Sequence, residues 1–170
     1  MFEPIILYQP SREHDLVVSA WWARLVAGPD AERTFTPSVT DTLSAFLGFF
    51  QQPKHLVFKL DTVGIWFAAW LEPVMSGAYF GLWIREDRRH SKLALVAFEE
   101  SLSIAFTIFP VLIGVTRQPD LIDGHKRLGY TLLGQIPYLW DDTDVYIMFI
   151  TKDAFNSRST QAVLPYNEAH

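Results

Sequence analysis

Five segments in the C-terminal half decide the fold: VLIGVT at 111–116, RQPD at 117–120, HKRLGY at 125–130, TLLG at 131–134 and DVYIMFI at 144–150. The first is an apolar run rich in β-branched residues, which is typical of a buried strand. The second introduces a helix that stops at the Leu128-Gly129-Tyr130 step, because a glycine just past the last helical residue ends a helix. The last two segments favour β-structure and predict a hairpin.

Upstream of this stretch, apolar periodicity and Gly or Pro stops predict the other elements. They are a strand at residues 5–8, helices from 15 to the stop at 28–29 and over 36–50, strands at 55–60, 65–71 and 78–84, and a helix at 92–109. The order β-α-α-β-β-β-α-β-α-β-β predicts an α/β (α+β mixed) fold with a central mixed, mostly antiparallel sheet and helices on both faces. We expect one domain over residues 1–155 and a polar tail over 156–170.

Composition excludes several classes of function. The chain of 170 residues has no Cys, so it contains neither disulfides nor a thiol nucleophile. A net charge of −5 argues against broad affinity for nucleic acid, and the five His have no spacing typical of a metal site. No signal peptide and no membrane-spanning run is evident, so we expect a soluble, cytoplasmic protein.

The element order and the Leu128-Gly129-Tyr130 step resemble those of the GNAT superfamily of N-acetyltransferases over about residues 3 to 153. The resemblance implies a cleft for acetyl-coenzyme A or another acyl-coenzyme A between the fourth strand and the strand that follows it. It also implies direct transfer of the acyl group to a primary amine, carried by a small molecule or a protein.

The fourth strand and the loop after it would hold the coenzyme. Amides of Leu82, Trp83 and Ile84 would face the acyl group, and Gly81 is the expected site of a bulge that splays the strands. The superfamily's phosphate loop has Arg or Gln, two variable residues, Gly, one variable residue, then Gly or Ala. Ser91 and Leu93 replace those two small residues here. The remaining candidates for phosphate contacts are Arg88, Arg89, His90, Ser91 and Lys92.

The resemblance also suggests catalytic residues. His125 stands four residues before Gly129, where the superfamily often has the Tyr that protonates the leaving thiolate. Gln118 stands where an Asn is common. A carboxylate acting through water is a frequent base, and Glu72 and Glu86 are the candidates for that role.

Two other interpretations stay open. The replaced glycines, the 15% aromatic content and the polar tail also resemble catalytically silent GNAT-like proteins of bacteriophages. Such a protein would act in virion head assembly or DNA delivery, bind phage structural proteins and reside in the host cytoplasm or the virion. A phage enzyme that modifies nucleic acid is a third interpretation, which the acidic balance disfavours. The sequence determines neither the acceptor nor the oligomeric state.

Overall fold

A computed structural model describes residues 6–29, 35, 37–59, 63–71, 76–89, 91–140 and 143–158. The helices are α1 (Arg12–Ala27), α2 (Pro37–Thr40), α3 (Leu43–Phe50), α4 (Lys92–Ala105), α5 (Ile122–Arg127) and α6 (Lys152–Ser157). The strands are β1 (Ile6–Leu7), β2 (His55–Lys59), β3 (Gly64–Trp70), β4 (Ala78–Ile84), β5 (Val111–Thr116), β6 (Thr131–Trp140) and β7 (Thr143–Thr151). Short 3₁₀ turns at Glu86–Arg88 and Pro119–Leu121 precede α4 and α5.

Within the described residues the strands form one sheet in the order β1-β2-β3-β4-β5-β7-β6. Strands β4 and β5 are parallel, and every other neighbouring pair is antiparallel. This arrangement confirms the predicted mixed, mostly antiparallel sheet. The β4–α4–β5 crossover supplies the parallel pair, because parallel neighbours need a long connection.

Helices cover both faces of the sheet and divide the buried side chains of the described residues into two clusters. Strand β3 contributes to both, because successive side chains of a strand point to opposite faces. Trp66 is fully buried with α4 on one face. Phe67 is buried with α1 and α3 on the other face.

Hydroxyl caps explain three departures from the predicted elements. Helix α1 begins before Asp15 because Ser11 Oγ accepts a hydrogen bond from His14 N–H at 3.2 Å. The helix predicted over 36–50 is divided, since Thr42 Oγ1 accepts from the Ala45 N–H at 3.1 Å and starts α3. Helix α6 was not predicted. Thr151 caps it, and it crosses the expected boundary at residue 155.

Strand β6 lies at the edge of the sheet and is longer than the predicted TLLG segment. Its pairing with β7 shifts register between Leu132 and Gly134 and again between Ile136 and Trp140. Tyr138, inside the second shift, has a positive φ of 54°. The β6 edge of the sheet is therefore irregular at two places. In the described ranges no helix is both long enough and apolar enough to span a membrane.

Candidate functional site

A cleft opens where β4 and β5 stop pairing. Parallel pairing covers Ala78 with Leu112, Tyr79 with Ile113 and Phe80 with Gly114. Beyond that point β4 continues to Ile84 and β5 to Thr116 with no pairing recorded between them. The register of β4 against β3 is continuous over the whole of β4. The predicted bulge at Gly81 is therefore wrong, and the cleft arises from the early end of the β4–β5 ladder.

Two glycines make room for aromatic rings at the point where the strands part. A Cβ on Gly114 would lie 2.0 Å from a ring atom of Phe80. A Cβ on Gly81 would lie 2.2 Å from a ring atom of Phe67. Both distances are far below a carbon–carbon contact, which is about 3.5–4.0 Å. These positions need glycine because each ring lies against the backbone of the residue paired with it.

The register of β4 decides which of its amides face the cleft. Arg85 N–H donates to Val63 O at 2.9 Å across β3. Because residues of an antiparallel strand alternate between its two neighbours, the Trp83 amide also faces β3, while Leu82 and Ile84 face the cleft. The Ile84 carbonyl confirms this direction, since it accepts from Arg89 Nε at 3.1 Å. Of the three amides expected in the cleft, the one at Trp83 is thus directed away.

A cavity of about 90 Å³ lies at the base of the cleft. Strand β4 contributes Phe80 and Leu82 to its walls, and the end of β5 contributes Thr116. Gln118 and His125 close the other side, where Gln118 N–H donates to Thr116 Oγ1 at 3.0 Å. The cavity is thus bounded by the splayed strands and by the start of the α5 segment.

The loop between β4 and α4 brings a helix N-terminus to the cleft. Ser91 Oγ accepts from the Ala94 N–H at 3.1 Å and donates to Arg88 O at 2.6 Å. Leu93 packs against the buried cluster beneath α4. Its side chain therefore does not occupy the outer face of the loop. Leu93, which replaces the second small residue of the phosphate loop, thus leaves that face open. Ser91, which replaces the first, caps the helix.

The basic residues of the loop differ in what they contact. Arg85 binds Asp87 through two hydrogen bonds, at 2.9 and 2.7 Å. Arg89 is held against the cleft by its bond to Ile84 O. The side chain of Arg88 is 43% exposed and lies 3.9 Å from Asp87. Lys92 is exposed at the first turn of α4.

Of the predicted catalytic residues, His125 lines the cavity. Its Nδ1 lies 2.7 Å from the carbonyl oxygen of Leu121, one turn earlier. Its ring centroid is 5.3 Å from that of Tyr130 and 6.0 Å from that of Phe98. Burial among these rings lowers the pKa of His125, since removal from water disfavours the charged imidazolium.

Three solved structures with a similar arrangement are described as acetyltransferases or as a chimera of one. A spermidine N-acetyltransferase from Vibrio cholerae in complex with CoA and spermine superposes with a TM-score of 0.68 at 11% identity, over 89% of this chain and 98% of that chain. RimL, a ribosomal-protein alpha-N-acetyltransferase in complex with coenzyme A, gives 0.68 at 14% identity, over 88% and 95%. A chimera built on the Vibrio cholerae enzyme gives 0.70 at 12% identity, over 92% and 100%.

This chain has the GNAT fold. No protein-family model and no curated protein sequence matches the chain. The fold is thus evident from the architecture alone, at sequence identities of 11–14%.

On this GNAT scaffold the predicted site residues are only partly brought together. Leu82 and His125 line the cavity, and Ile84, Arg89 and Ser91 lie around the mouth of the cleft or at the α4 N-terminus. Glu86 is exposed in the 3₁₀ turn and is not among the residues that line the cavity. Glu72 and His90 lie outside the described residues.

Two ionisable residues of the cavity wall were not predicted. Tyr79 and Arg117 both line it, and burial raises the pKa of the Tyr79 phenol. A signal for Arg117 was present, because it directly follows a strand expected to border the cleft. No comparable signal existed for Tyr79, which the alternation of β4 assigns to the opposite face from Phe80. In the part of the chain that the structure describes, no group of three His, Asp or Glu is placed to hold a metal ion.

Proposed function

We propose that this chain is an N-acyltransferase that moves an acetyl group from acetyl-coenzyme A to a primary amine. The observation that carries the proposal is the opening of β4 from β5 beyond Phe80, with a cavity at its base and the Leu82 amide facing it. The coenzyme A bound to the Vibrio cholerae enzyme and to RimL supports the choice of cofactor. Their acceptors, a polyamine and a ribosomal protein, support an amine as the substrate class.

The cleft supplies the electrostatics that thioester aminolysis requires. An N–H at Leu82 or Ile84 would donate to the thioester oxygen, which gains negative charge as the amine attacks. The amine nitrogen forms the new C–N bond and the C–S bond breaks, with its electron pair leaving on sulfur. The chain has no Cys, so transfer in this proposal is direct.

The loop before α4 would hold the pyrophosphate of the coenzyme. A helix N-terminus carries partial positive charge and presents amides that favour anions. Arg89 is already fixed beside the cleft by its bond to Ile84 O. Lys92 is exposed at the helix start, and the side chain of Arg88 in the loop is 43% exposed. Guanidinium and ammonium groups at these positions would add charge-assisted hydrogen bonds to phosphate.

Two measurements test the proposal. Titration calorimetry should detect coenzyme A binding to the whole chain, and mass spectrometry should detect acetylation of at least one amine in a panel of spermidine, tyramine and a peptide with a free N-terminus. No heat at millimolar coenzyme A, or binding without acetylation of any amine, would overturn the transferase function. The alternative of a silent phage assembly protein rests on sequence features alone and gains no support from the acetyltransferase structures.

A further inference from the structure

The hydrogen bond of His125 determines which ring nitrogen carries the proton. A backbone carbonyl oxygen can only accept, so the 2.7 Å contact with Leu121 O requires hydrogen on Nδ1. In the neutral ring, Nε2 then has a lone pair and no hydrogen. The side chain lines the cavity in this state. The predicted role of thiolate acid would need a hydrogen on Nε2 and therefore a charged ring.

The surroundings of the ring favour the neutral state. On α4 the facing residue is Phe98, and on β4 it is Phe80, with ring centroids 6.0 and 6.4 Å away. Tyr130 lies 5.3 Å away, and burial raises the pKa of its phenol well above the ordinary range. Tyr130 is therefore an uncharged neighbour.

Among the described residues, the charged and titratable groups that line the cavity with His125 are Tyr79 of β4 and Arg117 after β5. On the same helix, Asp123 and Lys126 form an exposed ion pair at 3.8 Å. In the described residues around the cavity, no carboxylate is among the lining groups to stabilise an imidazolium.

We infer that His125 works from its neutral form, with Nε2 accepting the proton that the acceptor ammonium must lose before it attacks. This inference rests on the proposed acetyl transfer. One proton passes from R–NH3⁺ to Nε2, and the resulting amine forms the C–N bond. When the C–S bond breaks, the imidazolium returns that proton to the sulfur, and the second proton of the nitrogen leaves to water. The products are the amide, free coenzyme A and one proton.

The protonation state of the free enzyme separates this role from that of an acid that starts charged. A neutral acceptor predicts a kcat/KM that rises with pH through a pKa below the ordinary value of about 6.5 and then stays level. Imidazolium paired with a neutral amine would give the same profile, so the imidazole itself must be observed. Nitrogen-15 NMR of the imidazole reports the tautomer and the pKa without any turnover.

The variant that tests the role is His125→Asn, since its amide keeps a donor near Nδ1 and removes Nε2. Loss of a general base typically costs about 10² to 10⁴ in rate. We expect that loss in kcat, with coenzyme A affinity within about twofold. His55→Asn is the matched control. The Nδ1 atom of His55 also lies close to a backbone carbonyl oxygen, that of Phe49, at 2.5 Å, and burial lowers the pKa of this His as well. His55 is not among the residues that line the cavity.

The outcomes distinguish this inference from the transferase proposal. NMR should find hydrogen on Nδ1 of His125 at neutral pH, and His55→Asn should turn over like the wild type. Hydrogen on Nε2 at neutral pH, or unchanged turnover in His125→Asn with any accepted amine, would overturn the proton path alone. Wild-type protein that binds coenzyme A and acetylates none of the amines would overturn both.

Discussion

The substitution Gly114→Ala tests whether the close approach of Phe80 holds the cleft open. The added methyl would lie 2.0 Å from one ring atom and 2.4 Å from another. Normal carbon contacts are about 3.5–4.0 Å, so the ring must move by more than 1 Å or β5 must shift. Phe80 is only 5% exposed. Its ring has Trp66 at 6.3 Å and Tyr130 at 5.2 Å, which leaves little room to rotate.

Overpacking of this kind costs about 1–3 kcal/mol in free energy of unfolding. For a domain of this size about 1 kcal/mol lowers Tm by roughly 2–4 °C, so a loss of about 4–8 °C corresponds to the middle of that range. Because Phe80 also lines the cavity, we expect coenzyme A affinity to fall in the same variant. Differential scanning calorimetry and binding calorimetry measure the two effects.

Gly48→Ala is the matched control. Gly48 lies inside α3, and a Cβ there would meet nothing within 4 Å. Alanine in a helix interior is favoured over glycine by about 0.8–1.0 kcal/mol, so this variant should be slightly more stable than the wild type. If Gly114→Ala is as stable as Gly48→Ala and binds coenzyme A equally well, the steric account of the cleft is refuted.

Two further predictions concern the loop before α4. Arg89→Ala should weaken coenzyme A binding by about 1–3 kcal/mol. Arg88→Ala should weaken binding less, because that side chain is 43% exposed and close to Asp87. The exposed Arg12→Ala is the control and should leave the affinity unchanged in calorimetry. Equal losses in the two loop variants, or a loss in the control, would contradict this ranking. Ser91→Gly should cost only a few tenths of a kcal/mol in stability. The same variant should bind coenzyme A more tightly, since Ser91 Oγ no longer accepts the hydrogen bond of the Ala94 N–H. Weaker binding at an unchanged Tm would contradict this prediction.

Most of the fold was predictable because its signals are local. Apolar periodicity and the stop at Gly28 place the main helices and strands, and the Leu128-Gly129-Tyr130 step places the end of α5. The predicted end of α4 at residue 109 is wrong, because the helix ends at Ala105, several residues before Pro110. The helix α6 was missed although Thr151 precedes it with a capping hydroxyl. A single Thr is a weak signal by itself, because Ser and Thr also favour turns.

The site was predictable only in outline because its geometry depends on contacts between distant segments. The β4–β5 ladder ends at the pair Phe80 and Gly114, which are 34 positions apart in the sequence. The direction of the Trp83 amide follows from the register with β3. The protonated nitrogen of His125 depends on a side-chain rotamer that composition does not specify.

The edge of the sheet formed by β6 is unsuited to pairing with another strand. Pro137 has no N–H to offer a new partner, and the adjacent Tyr138 has a φ of 54°. A regular edge with exposed apolar side chains is a template for aggregation, and Leu133 and Leu139 are 62% and 56% exposed on β6. The two register shifts interrupt the row of donors and acceptors beside them. The apolar side chains of β6 therefore lie on an irregular strand, which disfavours its pairing with a strand of another molecule.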